Sequence, residues 1–478
     1  MKRLMTLAAA GLLAACSTNP VTGRREISLV SENQEIQMGQ EAAQQVEQQL
    51  GLVKDAALQA YVRRIGTELA RASERPQLPW RFGVIDDPTP NAFALPGGPV
   101  YITRGLMNLM NSEAELASVL GHEIGHIAAR HSAQQITKSQ LGQIGLLAVV
   151  IAKPELAQFG DLLSTGMQLL FLKYSRDAER QADELGFKYA LNDNYDVGEM
   201  DDVFLALQRV GEAEGRSGIP AWASTHPDPG ERAQTVQQRV AALPAPPTPR
   251  TINKQQYLAA IDGLVYGDNP RQGFFRNNEF LHPDLRFRMT MPTGWKTQNM
   301  PQAVVAVSPQ QDAVVQLQFA QGTPTDAARQ FFSQQGMQQG QSSSSPVNGN
   351  PAYASYFQAQ TQQGTIQGIV TFLSYNGNTY GLLGYAPSGK FNQYDQIVQQ
   401  TIRSFGPLQN QAALSVQPAK LELIKLPRQM TLEEFNRQYP STVPIEQLAI
   451  INELEGPTTT IPQGRVVKRV VGGRMPTG

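Results

Sequence analysis

Apolar residues in the first half of the chain recur at steps of three and four, which is the spacing of amphipathic helices. The clearest stretch begins at Ser112, where Ser112 and Glu115 match the S-x-x-E capping box of a helix N-terminus. It continues to Ile127, and another helical stretch begins at Ser175. Residues 31–75 show the same spacing. The first half of the chain is therefore predicted to be mainly helical.

Strand-like stretches mark two other parts of the chain, and in the longer part they alternate apolar and polar residues as half-buried strands do. A short strand-rich piece covers residues 80–102 around the turn at Pro96 to Pro99, and a longer one covers about 280–408. In the longer part, residues 338–348 contain four serines and are predicted to form a loop. We predict an α+β fold: a mainly helical domain with a small sheet, a small α+β domain and a short C-terminal unit.

His122, Glu123 and His126 form an H-E-x-x-H motif inside the predicted helix. Because a helical turn takes about 3.6 residues, His122 and His126 project from the same face. Two imidazoles in this arrangement bind one zinc ion, and the intervening glutamate acts on a water molecule. A helix that carries two histidines by chance is the alternative, so a third ligand is needed to decide.

The helical stretch that begins at Ser175 carries two carboxylates one turn apart, Glu179 and Asp183. In zinc sites one carboxylate binds the metal and another orients a ligating imidazole. Ala178 and Ala182 on the same stretch allow another helix to approach closely. A solvated acidic face is the alternative interpretation. We favour the metal role because the pair follows an H-E-x-x-H helix.

Five stretches together resemble the gluzincin metallopeptidases of the HtpX/BepA-like type, in particular their secreted lipoprotein members. They are Asn19 to Arg25, Asn91 to Gly98, His122 to His131, Ser175 to Gly186, and Thr225 to Pro227 with Arg232. The resemblance implies one zinc ion bound by His122, His126 and Glu179. It also implies that Glu123 is catalytic and that Asp183 supports a ligand.

The same resemblance assigns substrate binding to the strand Asn91, Ala92, Phe93 and Ala94. The edge of a small sheet before an H-E-x-x-H helix can pair with an extended peptide, because backbone hydrogen bonding tolerates different sequences. A plain structural hairpin is the alternative.

His226 and Arg232 are candidates for a role above the metal. His226 lies in the loop Ser224 to Gly230, and related chains suggest that this loop folds over the metal. His226 would then cap the open coordination position, which is the role we favour, or help Arg232 to stabilise the transition state. An imidazole remote from the metal is the alternative. His131 lies roughly 140° round the helix from His126 and is predicted to pack or form hydrogen bonds.

The N-terminus has the pattern of a secretory signal. Lys2 and Arg3 precede an apolar run, Leu7 to Ala15, that is too short to span a bilayer. The run leads into Cys16 through a sequence that resembles the bacterial lipobox, which implies a lipid on Cys16. Ser17 favours, by resemblance, the outer membrane. An ordinary signal peptide that ends near a cysteine is the alternative. Cys16 is the only cysteine, so no disulfide forms within the chain.

These patterns divide the chain into six parts. They are a signal peptide (1–15), a tether (16–30), a zinc metalloprotease domain (31–243), a linker (244–279), a small α+β domain (280–408) and a C-terminal tail (409–478). The linker begins with the proline-rich run Pro244 to Pro249. The α+β domain resembles the PsbP-like type, with Met291 to Trp295 as its mark. The tail resembles a LysM-type unit, which binds peptidoglycan in other proteins.

Composition narrows the set of partners. With 41% hydrophobic residues, 17% charged residues and a net charge of −1, nothing indicates nucleic acid binding. We predict a zinc-dependent endopeptidase of the bacterial envelope, periplasmic and lipid-anchored to the outer membrane, that degrades misfolded or misassembled proteins. One alternative is a latent protease that acts mainly as a chaperone or adaptor for outer-membrane protein assembly. Another is a protein that binds peptidoglycan through its tail.

Overall fold

The computed structural model describes residues 16–146, 174–213, 226, 229–246, 248–300, 302–361 and 364–473. The chain divides into two compact units. The first comprises the chain up to Asp268 together with Ala419–Val471, and the second comprises Asn269–Pro418. The predicted α+β class is confirmed, since helices dominate the first unit and strands the second. None of the described helices is both long enough and apolar enough to cross a membrane.

The first unit is built mainly of helices. Those described before Asp268 are α1 (Glu32–Leu50), α2 (Ala56–Arg71), α3 (Arg104–Leu109), α4 (Glu113–Ala128), α5 (His131–Leu146), α6 (Arg176–Asn192), α7 (Glu199–Ala213), α8 (Pro229–Ala241) and α9 (Lys254–Ile261). Helix α4 is buried on almost every side, as expected for a central helix without a polar face. The predicted helix at Ser112 is thus confirmed as the centre of this unit.

Serine caps fix where α4 and α6 begin. Ser112 accepts a hydrogen bond from the backbone N–H of Glu115, and Ser175 does the same for Ala178. The second half of the predicted capping box does not form, because the Glu115 carboxylate accepts from the N–H of Asn111 instead. The carboxylate therefore satisfies a backbone donor one residue before the cap.

Short strands precede α4. β1 (Cys16–Thr18) and β2 (Arg25–Ile27) form an antiparallel hairpin within the range predicted as a tether. β3 (Arg81–Ile85), β4 (Ala92–Ala94) and β5 (Pro99–Thr103) form a sheet in the order β3-β5-β4, with β3 parallel and β4 antiparallel to β5. β4 therefore lies at an edge of this sheet. One further strand, β6 (Val265–Tyr266), follows α9.

The second unit contains two antiparallel sheets. Its elements after a 3₁₀ turn at Pro270–Gln272 are β7 (Phe274–Arg276), β8 (Glu279–His282), β9 (Phe287–Thr290), β10 (Lys296–Asn299), β11 (Ala303–Val307), β12 (Val314–Ala320), α10 (Pro324–Phe332), β13 (Met337–Ser343), β14 (Ala352–Thr361), β15 (Gly364–Tyr375), β16 (Asn378–Pro387), α11 (Phe391–Arg403), β17 (Gly406–Pro407) and α12 (Gln411–Leu414). One sheet has the order β10-β11-β12-β16-β15-β14-β13 and the other the order β17-β9-β8-β7. The loop predicted at 338–348 is wrong in its first part, because β13 pairs with β14 there. The side chains of β13 are mostly polar and exposed, so no apolar alternation marked the strand.

The C-terminal segment completes the first unit. Its elements are β18 (Ala419–Lys425), β19 (Met430–Thr431), α13 (Leu432–Gln438), α14 (Ile445–Ile451), β20 (Thr460–Ile461) and β21 (Val466–Val471). β18 pairs with both β21 and β6. The fully buried Lys468 donates hydrogen bonds to the carbonyls of residues 108–110 at 2.9–3.2 Å, which caps the C-terminal end of α3. The boundaries of the two units differ from those of the predicted linker (244–279) and tail (409–478), and the predicted division into domains stays a prediction.

Candidate metal centre

Helix α4 places His122 and His126 side by side in the interior of the first unit. Both rings are buried, and their Nε2 atoms lie 3.0 Å apart. Two nitrogens on one zinc ion at about 2.0–2.1 Å would be about 3.3 Å apart in a tetrahedral site. Burial, with the neighbouring His122 and His131, holds the pKa of His126 well below its usual value. The ring is therefore neutral, which is the form that binds metals.

Helix α6 brings Glu179 to the same point. Its carboxylate oxygens lie 3.6 Å from Nε2 of His122 and 3.6 Å from Nε2 of His126. The two helices can approach this closely because they cross at glycines: a Cβ added at Gly186 would lie only 2.7 Å from the backbone nitrogen of His122. The sequence predicts this close approach from Ala178 and Ala182 of α6, and the glycine contact adds to it.

Asp183 lies one turn after Glu179 and faces the other nitrogen of His122. Its Oδ1 is 2.9 Å from His122 Nδ1. Arg232, on α8, donates two hydrogen bonds to the same carboxylate, from Nη2 at 2.5 Å and from Nε at 2.8 Å. Burial alone would raise the pKa of Asp183, but Arg232 and the hydrogen bond with His122 hold it far below its usual value. Asp183 is thus an anion that is held between Arg232 and the His122 imidazole.

His226 also belongs to this group. Its Nδ1 lies 2.9 Å from Glu179 Oε2 and 3.3 Å from His122 Nε2, and its side chain is buried. The possible ligand atoms of four residues, called the metal group below, all lie within 4.8 Å of one another: His122, His126, Glu179 and His226. Of the loop predicted to carry His226, residues 224, 225, 227 and 228 lie outside the described residues.

Glu123 is the buried carboxylate next to this group. It is 0% exposed, and neither of its oxygens has a hydrogen-bond partner within the described part of the chain. His226 Nε2 is 3.7 Å from its Oε1. Burial raises the pKa of the Glu123 carboxyl, which suits a group that accepts and releases a proton near neutral pH. A buried carboxylate without a partner is costly unless something binds beside it.

Two residues at this site were not assigned to it from the sequence. His131 Nδ1 lies 2.9 Å from His126 Nδ1, and its Nε2 lies 3.0 Å from Gln181 Oε1. Helix α4 ends before Arg130, whose φ of 58° turns the chain, so the helical angle used for His131 does not apply. The ring of Tyr174 stacks on His126 with a centroid distance of 4.0 Å. The sequence carried no pattern that distinguished this tyrosine.

The predicted substrate strand and lipidation residue lie elsewhere in the first unit. Asn91 precedes β4, and its backbone N–H donates to Thr103 Oγ1. Ala92, Phe93 and Ala94 form β4 at the sheet edge and are at most 7% exposed. Cys16 begins β1, whereas the predicted signal peptide, 1–15, lies outside the described residues.

The residues present fit a zinc ion. Imidazole nitrogens and a carboxylate oxygen are the ligands that zinc takes in catalytic sites. Here they converge in a buried position next to a glutamate that has no hydrogen-bond partner in the described part of the chain, and the Asp183 carboxylate contacts one of the imidazoles from behind. A zinc ion held there would polarise a carbonyl, and the glutamate beside it can transfer a proton.

The part of the chain that contains these residues is similar to known proteins. Residues 56–240 match Peptidase family M48. The chain is 34% identical over 226 residues to the mitochondrial metalloendopeptidase OMA1 of Schizosaccharomyces pombe, covering 46% of this chain and 65% of that protein. It is 28% identical over 259 residues to the beta-barrel assembly-enhancing protease of Yersinia pestis, covering 52% of each. The chain thus spans less than two thirds of the length of these relatives.

A solved structure resembles part of the chain more weakly. The cyanobacterial PsbP of Synechocystis sp. PCC 6803 covers 27% of this chain and 91% of its own length, at 13% identity and a TM-score of 0.23. A likeness at this level carries no argument about the second unit, so the PsbP-like resemblance stays a prediction. The LysM-like resemblance of the tail likewise stays a prediction.

Proposed function

Because this chain contains a zinc metallopeptidase domain of the HtpX/BepA-like type, we propose that it is an endopeptidase that cleaves misfolded or misassembled proteins of the bacterial envelope. The observation that carries the proposal is the buried Glu123, whose oxygens have no hydrogen-bond partner among the described residues, beside the converging donor atoms of His122, His126 and Glu179. Such a pair of a metal group and a free carboxylate is what metal-assisted hydrolysis of a peptide bond requires.

In this mechanism the residues of the site have different tasks. A single zinc ion held by His122, His126 and Glu179 would supply Lewis-acid chemistry that polarises a peptide carbonyl and acidifies water. Glu123 accepts a proton from the attacking water and delivers it to the leaving amine. Asp183 holds the His122 ring in the orientation and tautomer that direct Nε2 at the metal, and Arg232 holds Asp183.

The class of substrate follows from the edge strand β4. An extended polypeptide pairing with Ala92–Ala94 would be held through its backbone, which selects for unfolded segments rather than for a sequence. Several relatives are named beta-barrel assembly-enhancing proteases, which supports substrates among misassembled outer-membrane proteins. The same names support the outer-membrane assembly machinery as a partner. The LysM-like sequence of the tail supports peptidoglycan as a further partner.

The location follows from the N-terminal sequence. A lipid on Cys16 would anchor the protein to the outer membrane with its first unit in the periplasm. This assignment rests on the lipobox-like sequence and on the signal-like run before it.

A latent protease that acts mainly as a chaperone or adaptor is the second candidate. Two observations favour it: His226 lies within the metal group, and the side chains of β4 are buried. A fourth protein ligand would occupy the position that water needs, so the resting protein would be closed. Substrate or a partner would have to move His226 before cleavage.

Removal of the metal tests the proposed activity. The purified protein is expected to cleave an unfolded protein such as casein, to lose cleavage after dialysis against a chelator, and to regain it with zinc at one equivalent. Stoichiometry from metal analysis checks the single ion. Cleavage that survives complete loss of zinc would overturn the proposal.

Substitution of His226 separates the two candidate roles of this residue. We expect His226→Ala to raise basal cleavage of casein while zinc stays bound, because the remaining three ligands hold the ion and the fourth position opens. A lower kcat with unchanged zinc would instead assign His226 to transition-state stabilisation. His282→Ala, in the second unit, is the control for loss of a histidine, and an effect no larger than the control would remove His226 from the site.

A further inference from the structure

Exposed large apolar side chains cluster at the N-terminus of the first unit. Residues 16–29, called the N-terminal hairpin below, contain Ile27 and Leu29, which are 53% and 40% exposed. Elsewhere in the described part of the first unit, one other large apolar side chain is exposed to a similar extent, that of Leu205 at 39%. Cys16 pairs in register with Ile27, so the residue predicted to carry the lipid lies on the strand next to this apolar side chain.

Positive charge lies on the same hairpin. Arg24 and Arg25 are exposed and form no ion pair within the described residues. The one acidic residue of the hairpin, Glu26, is turned inward, where it accepts hydrogen bonds from Asn19 and Gln134. The outer surface of the hairpin therefore combines two arginines with two large apolar side chains. Anionic lipid headgroups attract arginine side chains, and the interfacial region of a bilayer accommodates large apolar side chains.

The hairpin is fixed to the end of the metal-binding helix. Arg130 donates to Ser17 Oγ and to the carbonyl of Val30, at 2.8 Å each, and to the buried carboxylate of Glu35 at 3.0 Å. Asn19 donates to the carbonyl of Ala129 at 3.2 Å. Ala129 follows His126 by three residues, which is about 5 Å along a helix axis.

These contacts have a consequence for orientation. Glu35 also accepts two hydrogen bonds from Arg75, which in turn donates to the carbonyl of Ile127. The hairpin, α1 and the C-terminal end of α4 are thus joined by buried charge-assisted hydrogen bonds, which are the stronger and more rigid kind. Any surface that binds the hairpin therefore also fixes the direction of α4.

We propose that the N-terminal hairpin is a membrane-docking face, in which Ile27 and Leu29 enter the interfacial region and Arg24 and Arg25 contact anionic headgroups. This inference rests on the proposed function, because it gives the lipid-anchored protease a defined orientation. The metal centre is then held close to the bilayer surface, and its substrates are unfolded segments that lie at that surface.

Vesicle flotation of the mature chain without its lipid tests this inference. The protein from residue 16 with Cys16→Ser is mixed with vesicles of phosphatidylethanolamine and phosphatidylglycerol, and the bound fraction gives a partition coefficient. We expect Ile27→Asn with Leu29→Asn to lower the partition coefficient about tenfold or more. The exposed part of each apolar side chain, about half of it, would no longer move from water into the bilayer interface. Leu205→Asn, at the same exposure as Leu29, is the matched control and should leave it unchanged.

The charged part of the face has its own measurement. Arg24→Gln with Arg25→Gln should lower binding about 10- to 30-fold on the anionic vesicles, but not on vesicles of phosphatidylcholine alone. All variants should keep the melting temperature and the casein cleavage of the Cys16→Ser parent, because none of these residues lies in the metal centre.

The inference fails if the parent does not float, or if the Ile27 and Leu29 variant floats as well as the Leu205 control. It also fails if the apolar pair changes only the oligomeric state in size-exclusion chromatography, which would assign the face to a second copy of this chain. Binding without any cleavage would overturn the proposed function alone, and cleavage without binding would overturn the docking face alone.

Discussion

Replacing Glu123 by glutamine is expected to lower kcat for cleavage of an unfolded protein by about 10²- to 10⁴-fold or more, which is the usual contribution of a general base. The loss lies toward the upper end because the same carboxylate accepts the proton from water and returns it to the amine. Zinc content should stay at the wild-type level, because Glu123 is not one of the proposed ligands. Within the described residues, neither of its oxygens forms a hydrogen bond with His122, His126 or Glu179.

The variant should also fold normally. The glutamine has the same shape as the glutamate, and burial already disfavours the charged form at this position. Glu184→Gln is the matched control, because Glu184 lies on the neighbouring helix α6 with an exposed side chain. Wild-type kcat in Glu123→Gln at full zinc content would show that another group transfers the proton.

Substitution of the two carboxylates of α6 should affect the metal in a fixed order. Glu179→Ala removes the oxygens that lie 3.6 Å from both Nε2 atoms and should leave no zinc after dialysis. Asp183→Ala removes the partner of His122 Nδ1 and should weaken zinc binding or activity by roughly 10- to 100-fold. Metal analysis across a series of zinc buffers measures both affinities.

Asp183→Ala should also lower the stability of the fold. Arg232 is 6% exposed and would lose the carboxylate that accepts two of its hydrogen bonds. Removal of one partner from a buried ion pair typically costs roughly 3–5 kcal/mol. Asp177→Ala, an exposed carboxylate six residues before Asp183 on the same helix, controls for helix effects. If Asp183→Ala loses more zinc than Glu179→Ala, the two carboxylates have exchanged roles.

Local periodicity allowed much of the metal group to be predicted from sequence. The spacing of apolar residues after Ser112 determined that α4 is a helix, and the helical repeat then placed His122 and His126 on one face. The same repeat placed Glu179 and Asp183 one turn apart on α6. These relations depend on backbone geometry over a few residues, so no knowledge of the rest of the fold was needed. The fold class and the metallopeptidase resemblance were confirmed for the same reason, because motifs and periodicity are local.

Some features were not predictable from the sequence, because contacts with distant segments determine them. β13 is polar on almost every residue, and it is a strand because the neighbouring β14 offers backbone hydrogen bonds. The tail pairs with β6 across more than 150 residues, and Lys468 is buried only because α3 presents three carbonyls to it. An isolated lysine in a sequence predicts an exposed side chain.

The sequence by itself determined which residues are candidates for the chemistry, and the tertiary structure decided how they meet. His226 is 104 residues from His122, and Arg232 is 49 residues from Asp183. Contacts over such separations depend on how α4, α6 and α8 pack, and that packing depends on glycines such as Gly186 that permit backbones to touch. Helical periodicity fixes a face of each helix, but only the burial of those faces against one another determines which faces come into contact.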